Sequence, residues 1–188
     1  MTTTAPLSSL SAVSGTYALD PAHTRIGFVA RHAMVTKVRG SFNEFEGTVV
    51  LDGDDVSRSS ASVTISAASI DTRQPQRDAH LRSNDFLAMD AFPTLTFTST
   101  AARRTGEAEF ELDGDLTIKG VTRPLTIPFT FEGTAQDPYG NVRVGFEGSV
   151  VINRKDFGVS YNAALETGGV LVGELVTLEF EVSAVKAA

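Results

Sequence analysis

The 188-residue chain has no cysteine, which removes disulfides, thiolate metal sites and thiol nucleophiles from consideration. The redox compartment stays open. Basic residues are few, 16 Lys and Arg against 23 Asp and Glu, for a net charge of −7. No run of them supplies the basic face by which nucleic acid or an anionic membrane would hold the chain through charge. Long apolar runs are missing too, and nothing approaches the ~20 residues of a membrane-spanning helix. The opening MTTTAPLSSLSAVSG lacks a basic leader and a signal-length apolar run. Residues 1–14 are therefore expected to be a disordered tail before a single domain over 15–188, on a cytoplasmic protein. A secreted or periplasmic form that has lost its leader is the alternative. Also absent are G-x-S-x-G, any Gly-rich phosphate loop and a defensible glycosidase carboxylate pair.

What is present is alternation. Hydrophobic residues make up 41% of the chain, enough for one substantial core. Ile26, Phe28, Ala30 and His32 alternate with Arg25, Gly27, Val29 and Arg31. Val63 and Ile65, then Leu95 and Phe97, alternate with Ser and Thr. Leu125, Ile127, Phe129 and Phe131 repeat the pattern, as do Val176, Leu178, Phe180 and Val182. One apolar and one wet face predicts antiparallel strands covered on the inner side. Further strands fit near 42–51, 107–119 and 142–152, punctuated by DGDD, KGVTRP and DPYGN. The exception is 74–89, where Pro75 can open a helix that Phe92-Pro93 stops. Eight or more evenly spaced strands predict a sandwich or a closed barrel. The small inward residues Ala30, Gly40, Gly47 and Ala67 either leave room for a ligand or mark barrel corners.

Residues with chemistry gather in RDAHLRS, residues 77–83. On a helix Asp78 and His80 point apart, so they do not share a metal there, whereas Asp78 and Arg82 face one another as an ion pair. The segment reads as a lid or plug held by its charges, or as part of an active site. His23, His32 and His80 fall on separate elements, without metal-ligand spacing. His23 reads as a turn residue. His32, on the inward face, meets either a buried carboxylate or a ligand's polar head. Arg39 is placed at a tight bend in VRGSF, and Arg154 and Asp156 on one face of an extended segment. Such arginines fix loops, or alternatively Arg31, Arg39 or Arg154 binds a pyrophosphate or quinone head.

Five segments in order resemble the YceI-like, polyisoprenoid-binding family: YALDPAHTRIGFVARHAMVTKVRGSFNEFEG (17–47), IDTRQPQRDAHLRSNDFLAMDAFPTLTF (70–97), LDGDLTIKGVTRPLTIPF (112–129), INRKDFGVS (152–160) and VGELVTLEFEV (172–182). The resemblance implies an all-β fold: a lipocalin-like antiparallel barrel of about eight strands, with a short helical insertion around 74–89. It implies a long isoprenoid chain, from a polyprenyl lipid or an isoprenoid quinone, held in an apolar pore for storage or transport. It implies no catalysis, no cofactor beyond that lipid, and a possible homodimer.

The expected pore lining is Ile26, Phe28, Ala30, Val63, Ile65, Leu95, Phe97, Leu125, Ile127, Phe129, Phe180 and Val182. The head-group candidates are Arg31, His32, Arg39, Asp78, His80 and Arg154. Neither nucleic acid nor stable membrane insertion is expected. The rival readings are a metal-dependent or hydrolytic enzyme using His32, His80 and Asp78, and a filled structural or stress-related barrel with no ligand.

Overall fold

The computed structural model describes residues 7–187. Its strands are β1 (Gly15–Leu19), β2 (Arg25–His32), β3 (Thr36–Phe42), β4 (Phe45–Leu51), β5 (Ser60–Ser66), β6 (Ile70–Asp71), β7 (Thr94–Arg104), β8 (Glu109–Ile118), β9 (Val121–Gln136), β10 (Val142–Asn153) and β11 (Val172–Lys186). One helix, α1 (Pro75–Arg82), interrupts them. The strand order is β1-β4-β5-β7-β8-β9-β10-β11-β2-β3-β6, and a further β1–β11 pairing closes the ring. Consecutive segments β1/β2, β3/β4 and β5/β6 each act as one bent strand, since both halves face the same neighbouring staves. The eleven segments thus make a closed, eight-stave, antiparallel up-and-down barrel.

Alternation fixes the facing. Along β11, Val176, Leu178, Phe180 and Val182 turn inward, while Glu179 turns outward to Arg25 at 3.2 Å. β8 reads in the same period, with Leu116 and Ile118 buried and Asp115 exposed. Pro124 and Pro128 lie in the part of β9 that pairs with β8 alone, because pairing with β10 begins at Phe129. A proline cannot donate to a ladder, so it is confined to such one-sided stretches.

Several expectations change. The helix around 74–89 shrinks to Pro75–Arg82, followed by turns. Gln74 caps it, its side chain accepting from the Arg77 N–H at 2.7 Å. The tail expected over 1–14 is ordered where it is described: Leu7–Val13 form a 3-10 helix and Val13 is buried. Residues 1–6 lie outside the described residues. Arg39 sits mid-strand, with Val38 and Gly40 paired to β2 on either side, so there is no bend at VRGSF. Arg154–Phe157 form a 3-10 turn in place of the expected extended segment.

Arg143 ties two turns together at one end of the barrel. Its Nη1 reaches Asp20 at 2.6 Å and its Nε reaches Asp137 at 3.0 Å. Hydrogen bonds from Arg143 and then His23 hold the Asp20 carboxyl down at about 2. Burial pulls Asp137 upward, but bonds from Asn141, Arg143 and Tyr139 outweigh it and leave that carboxyl at about 2 as well. A carboxylate depressed on folding stabilises the fold above its ordinary value of 3.8, and that stability is lost as pH falls toward 2. In Arg143→Met, denaturant unfolding should give lower stability at neutral pH and a shallower loss between about pH 4 and 2, the two proteins converging at the acid end.

Candidate functional site: the apolar lumen

The barrel encloses a cavity of about 210 Å3. Ile26, Val63, Ile65, Leu95, Phe97, Leu125, Ile127, Phe129, Phe180 and Val182 lie on its wall, as the alternation places them. Phe28 and Ala30 do not. Phe28 faces inward but packs on Phe42 of β3 with ring centroids 5.9 Å apart, and Phe28 and Ala30 sit on β2 beyond the hollow section. The expected lining leaves out Phe110, Leu112, Leu116, Ile118 and Phe146, and also Phe131, which the alternation puts on the apolar face. Those on β8 were findable, because FELDGDLTI alternates as cleanly as any strand in the chain. Leu10 and Val13 also line the cavity, and no pattern announces them.

Two phenylalanines lie against the wall because glycine lets them. A Cβ added at Gly148 would fall 2.6 Å from Phe129 Cδ1, and one added at Gly114 would fall 2.6 Å from Phe97 Cε2. The rings therefore cover strand backbone and do not project across the lumen. Gly114 and Gly148 thus serve the bore of the barrel, whereas none of the small inward residues singled out from the sequence, Ala30, Gly40, Gly47 and Ala67, borders the cavity.

The ends are closed by different devices. At one end Leu10 and Val13 of the amino-terminal 3-10 helix cover the cavity, the Tyr17 hydroxyl donating to Val13 O at 2.7 Å. The Gly53 N–H donates to Ser14 Oγ at 2.8 Å, and any side chain at Gly53 would collide with the Leu10 carbonyl. At the other end lies α1. Asp78 is buried and accepts from Thr72 N–H at 2.9 Å and Thr72 Oγ1–H at 2.5 Å. Arg77 donates to Thr72 Oγ1 and O, and Arg82 to the carbonyls of Ala68 and Ile70. The expected Asp78–Arg82 pair is absent because each side chain instead satisfies backbone beneath the helix.

None of the six head-group candidates borders the cavity. Arg31 and His32 are exposed near the end of β2, where the strand continues past the hollow section. Arg39 is exposed and approaches Glu179 at 3.8 Å. His80 bonds Asp85 at 2.8 Å and stacks edge-on to Phe86 and Tyr161 at 5.0 and 4.9 Å. Arg154 is buried, and burial disfavours its charge; it answers by donating to the carbonyls of Val159, Val172 and Gly173 at 2.7–3.2 Å. His32, His80 and Asp78 thus have separate surroundings, and no group of three or more His, Asp or Glu among the described residues is arranged to hold a metal. The polar border of the cavity comes instead from Thr24, Asp52, Ser59, Ser60 and Glu111. A larger hollow, about 510 Å3, lies on the outer face of β8–β11 among Glu109, Glu111, Glu147, Glu179 and Glu181. Its carboxylates suit water, not hydrocarbon, so the smaller inner space is the candidate site.

A closed antiparallel barrel with an oily interior and capped ends is the lipocalin-like class. Within it, residues 17–184 match the model of the YceI-like domain, and the chain belongs to that family. It is 40% identical over 169 residues to a UPF0312 protein of Staphylococcus aureus, covering 89% of this chain and 95% of that one. It is 38% identical over 151 residues to a UPF0312 protein of Ectopseudomonas mendocina, covering 79% of each. Among solved structures, Burkholderia cenocepacia BcnA superposes with a TM-score of 0.78 at 25% identity, over 88% of this chain and 98% of that one. A polyisoprenoid binding domain from Saccharophagus degradans superposes with a TM-score of 0.69 at 12% identity, over 91% of this chain and 98% of that one.

Two substitutions separate cap from bore. Asp78→Ala leaves buried Thr72 donors without an acceptor and should lower unfolding free energy by about 2–3 kcal/mol in urea, with the cavity wall intact. Gly148→Ala sets a Cβ against the Phe129 ring and 2.7 Å from the Pro128 carbonyl. It should push the ring toward the lumen and strain the β9–β10 ladder, at about 3 kcal/mol of overpacking, visible as a shrunken cavity in a crystal structure of the variant.

Proposed function

We propose that this protein binds the hydrocarbon tail of an isoprenoid lipid, a polyprenyl lipid or an isoprenoid quinone, inside the barrel and stores or carries it without transforming it. The observation that carries the reading is the lumen itself, a cavity of about 210 Å3 walled almost wholly by aliphatic and aromatic side chains. Membership of the YceI-like family and a fold shared with a polyisoprenoid binding domain support the choice of ligand. The driving force is solvent exclusion, ~0.8 kcal/mol for each methylene removed from water, less the ordering of a flexible chain.

The free cavity is smaller than the roughly 300–1,000 Å3 of ordinary small-molecule pockets. A long tail therefore enters only as interior groups give way. The α1 end is tied down by Arg77, Asp78 and Arg82, while the amino-terminal end is covered by the apolar side chains of Leu10 and Val13. A tail seated in the lumen meets Asp52, Ser59 and Ser60 at the cavity's polar border.

Solvent extraction and mass spectrometry of protein purified from its own host should recover one isoprenoid lipid per barrel. Val63→Phe combined with Leu125→Phe, which fills the cavity from its own wall, should hold its melting temperature and lose at least ten-fold of the recovered lipid. A clean extract from the parent, with no uptake of added polyprenol or quinone, would leave a filled structural barrel as the better account.

A further inference from the structure

The tip of the β2–β3 hairpin is built against ordinary turn and sheet chemistry. The His32–Val35 turn closes with the Val35 N–H donating to His32 O at 3.1 Å, and both central residues lie in the left-handed region, Ala33 at φ 51° and Met34 at φ 61°. Asn-Gly adopts that geometry readily, and a residue with a Cβ is strained there. The turn displays side chains that water disfavours: Met34 is 63% exposed and Val35 75%. The neighbouring loop is fastened to it by the Ala33 N–H donating to Leu171 O at 2.8 Å, and adds Val170, 37% exposed. A register break in β11 beside the end of β2, between Val172 and Val176, leaves Leu175 61% exposed.

Just behind this apolar tip the fold gathers cations that the sequence disperses. Arg31 and Lys37 stand directly opposite one another across the β2–β3 ladder, and Arg39 follows two residues further along the same face. Like charges face to face destabilise a sheet. Among the described residues Lys37 is in no ion pair, and the only side-chain bond of Arg31 is a long one, 3.5 Å to Val35 O. The nearer carboxylates are committed elsewhere: Glu174 to Lys155 at 2.6 Å, and Glu179 to Arg25 at 3.2 Å with Arg39 beyond it at 3.8 Å.

We infer that the β2–β3 tip is a docking finger for an anionic lipid bilayer, Met34 and Val35 entering the headgroup region while Arg31, Lys37 and Arg39 meet lipid phosphates. The chemistry of the patch selects this partner: apolar side chains lead and cations follow two to four residues behind, where long basic side chains extend toward an interface. The net charge of −7 works against a membrane at long range, but at about 0.1 M salt charges more than ~10 Å from the surface are largely screened, so the local cations decide. The inference rests on the carrier reading for its purpose, since a hydrocarbon cargo has to be collected from or delivered to a membrane.

The test is sedimentation of delipidated full-length protein with vesicles of phosphatidylcholine, alone or mixed with phosphatidylglycerol, at about 0.1 M salt. Binding should favour the anionic vesicles. It should fall at least ten-fold in Met34→Asp combined with Val35→Asp, and several-fold in Lys37→Glu. Ala33→Asn with Met34→Gly should weaken vesicle binding while raising the melting temperature, a combination that damage to the fold does not produce. No preference for anionic vesicles, or parent-like binding by the Met34/Val35 variant, overturns the inference. Because the assay uses lipid-free protein, its failure is separate from a clean solvent extract, which would count against the carrier reading alone.

Discussion

The two-sided pairing of β11 is the constraint on which this structure depends. One edge of that strand carries β10 from Asn153 to Arg143, and the other carries β2 and then β1, where Tyr17, Ala18 and Leu19 stand opposite Lys186, Val185 and Ala184. Remove that last short ladder and the sheet has two free edges at that end. With it, every stave has a neighbour on both sides and the inner face becomes a shared interior. Tyr17 anchors the closure, fully buried, with its hydroxyl bonded to Val13 O and its phenol pushed up by burial. Closure also makes register unforgiving, because a slip of one residue would turn Glu179 and Glu181 into the lumen and Phe180 out of it.

Closing the sheet does not by itself leave space. The bore exists because glycine takes the inward position beside Phe97 and Phe129, so large rings spread along the wall. The caps then divide the labour. α1 lays Leu81 against the core and is fixed by charged side chains bonded to backbone groups of residues 68–72. The amino-terminal helix contributes Leu10 and Val13 directly to the cavity, and Val13 O accepts from the Tyr17 hydroxyl. One end is thus fixed by polar bonds to backbone, and the other is covered by apolar side chains.

Much of this was legible in the alternation. The period of two alone places Ile65, Leu95, Ile127 and Phe180 on the inner wall, since facing in a strand is a local property. What failed was what depends on distance along the chain. Phe28 and Ala30 obey the same alternation, but nothing local says where the hollow section of a stave ends. His32 follows them in phase and lands in water. Asp78 and Arg82 stand at helical spacing for a pair, yet the unsatisfied backbone of residues 68–72, unseen from the sequence, claims both. Leu10 and Val13 sit in a Ser/Ala-rich stretch that reads as disordered, and only the barrel end they cover gives them a role.

The central claim is that hydrocarbon resides within the ring of staves and not on its outside. Isotope-filtered nuclear Overhauser spectra between an unlabelled prenyl chain and methyl-labelled protein address that directly. The account predicts cross-peaks from the chain to the methyls of Ile65, Leu95 and Ile127, which no outer ligand can reach. Cross-peaks confined to the exposed Val151 and Leu175, with the inner methyls silent, would contradict it.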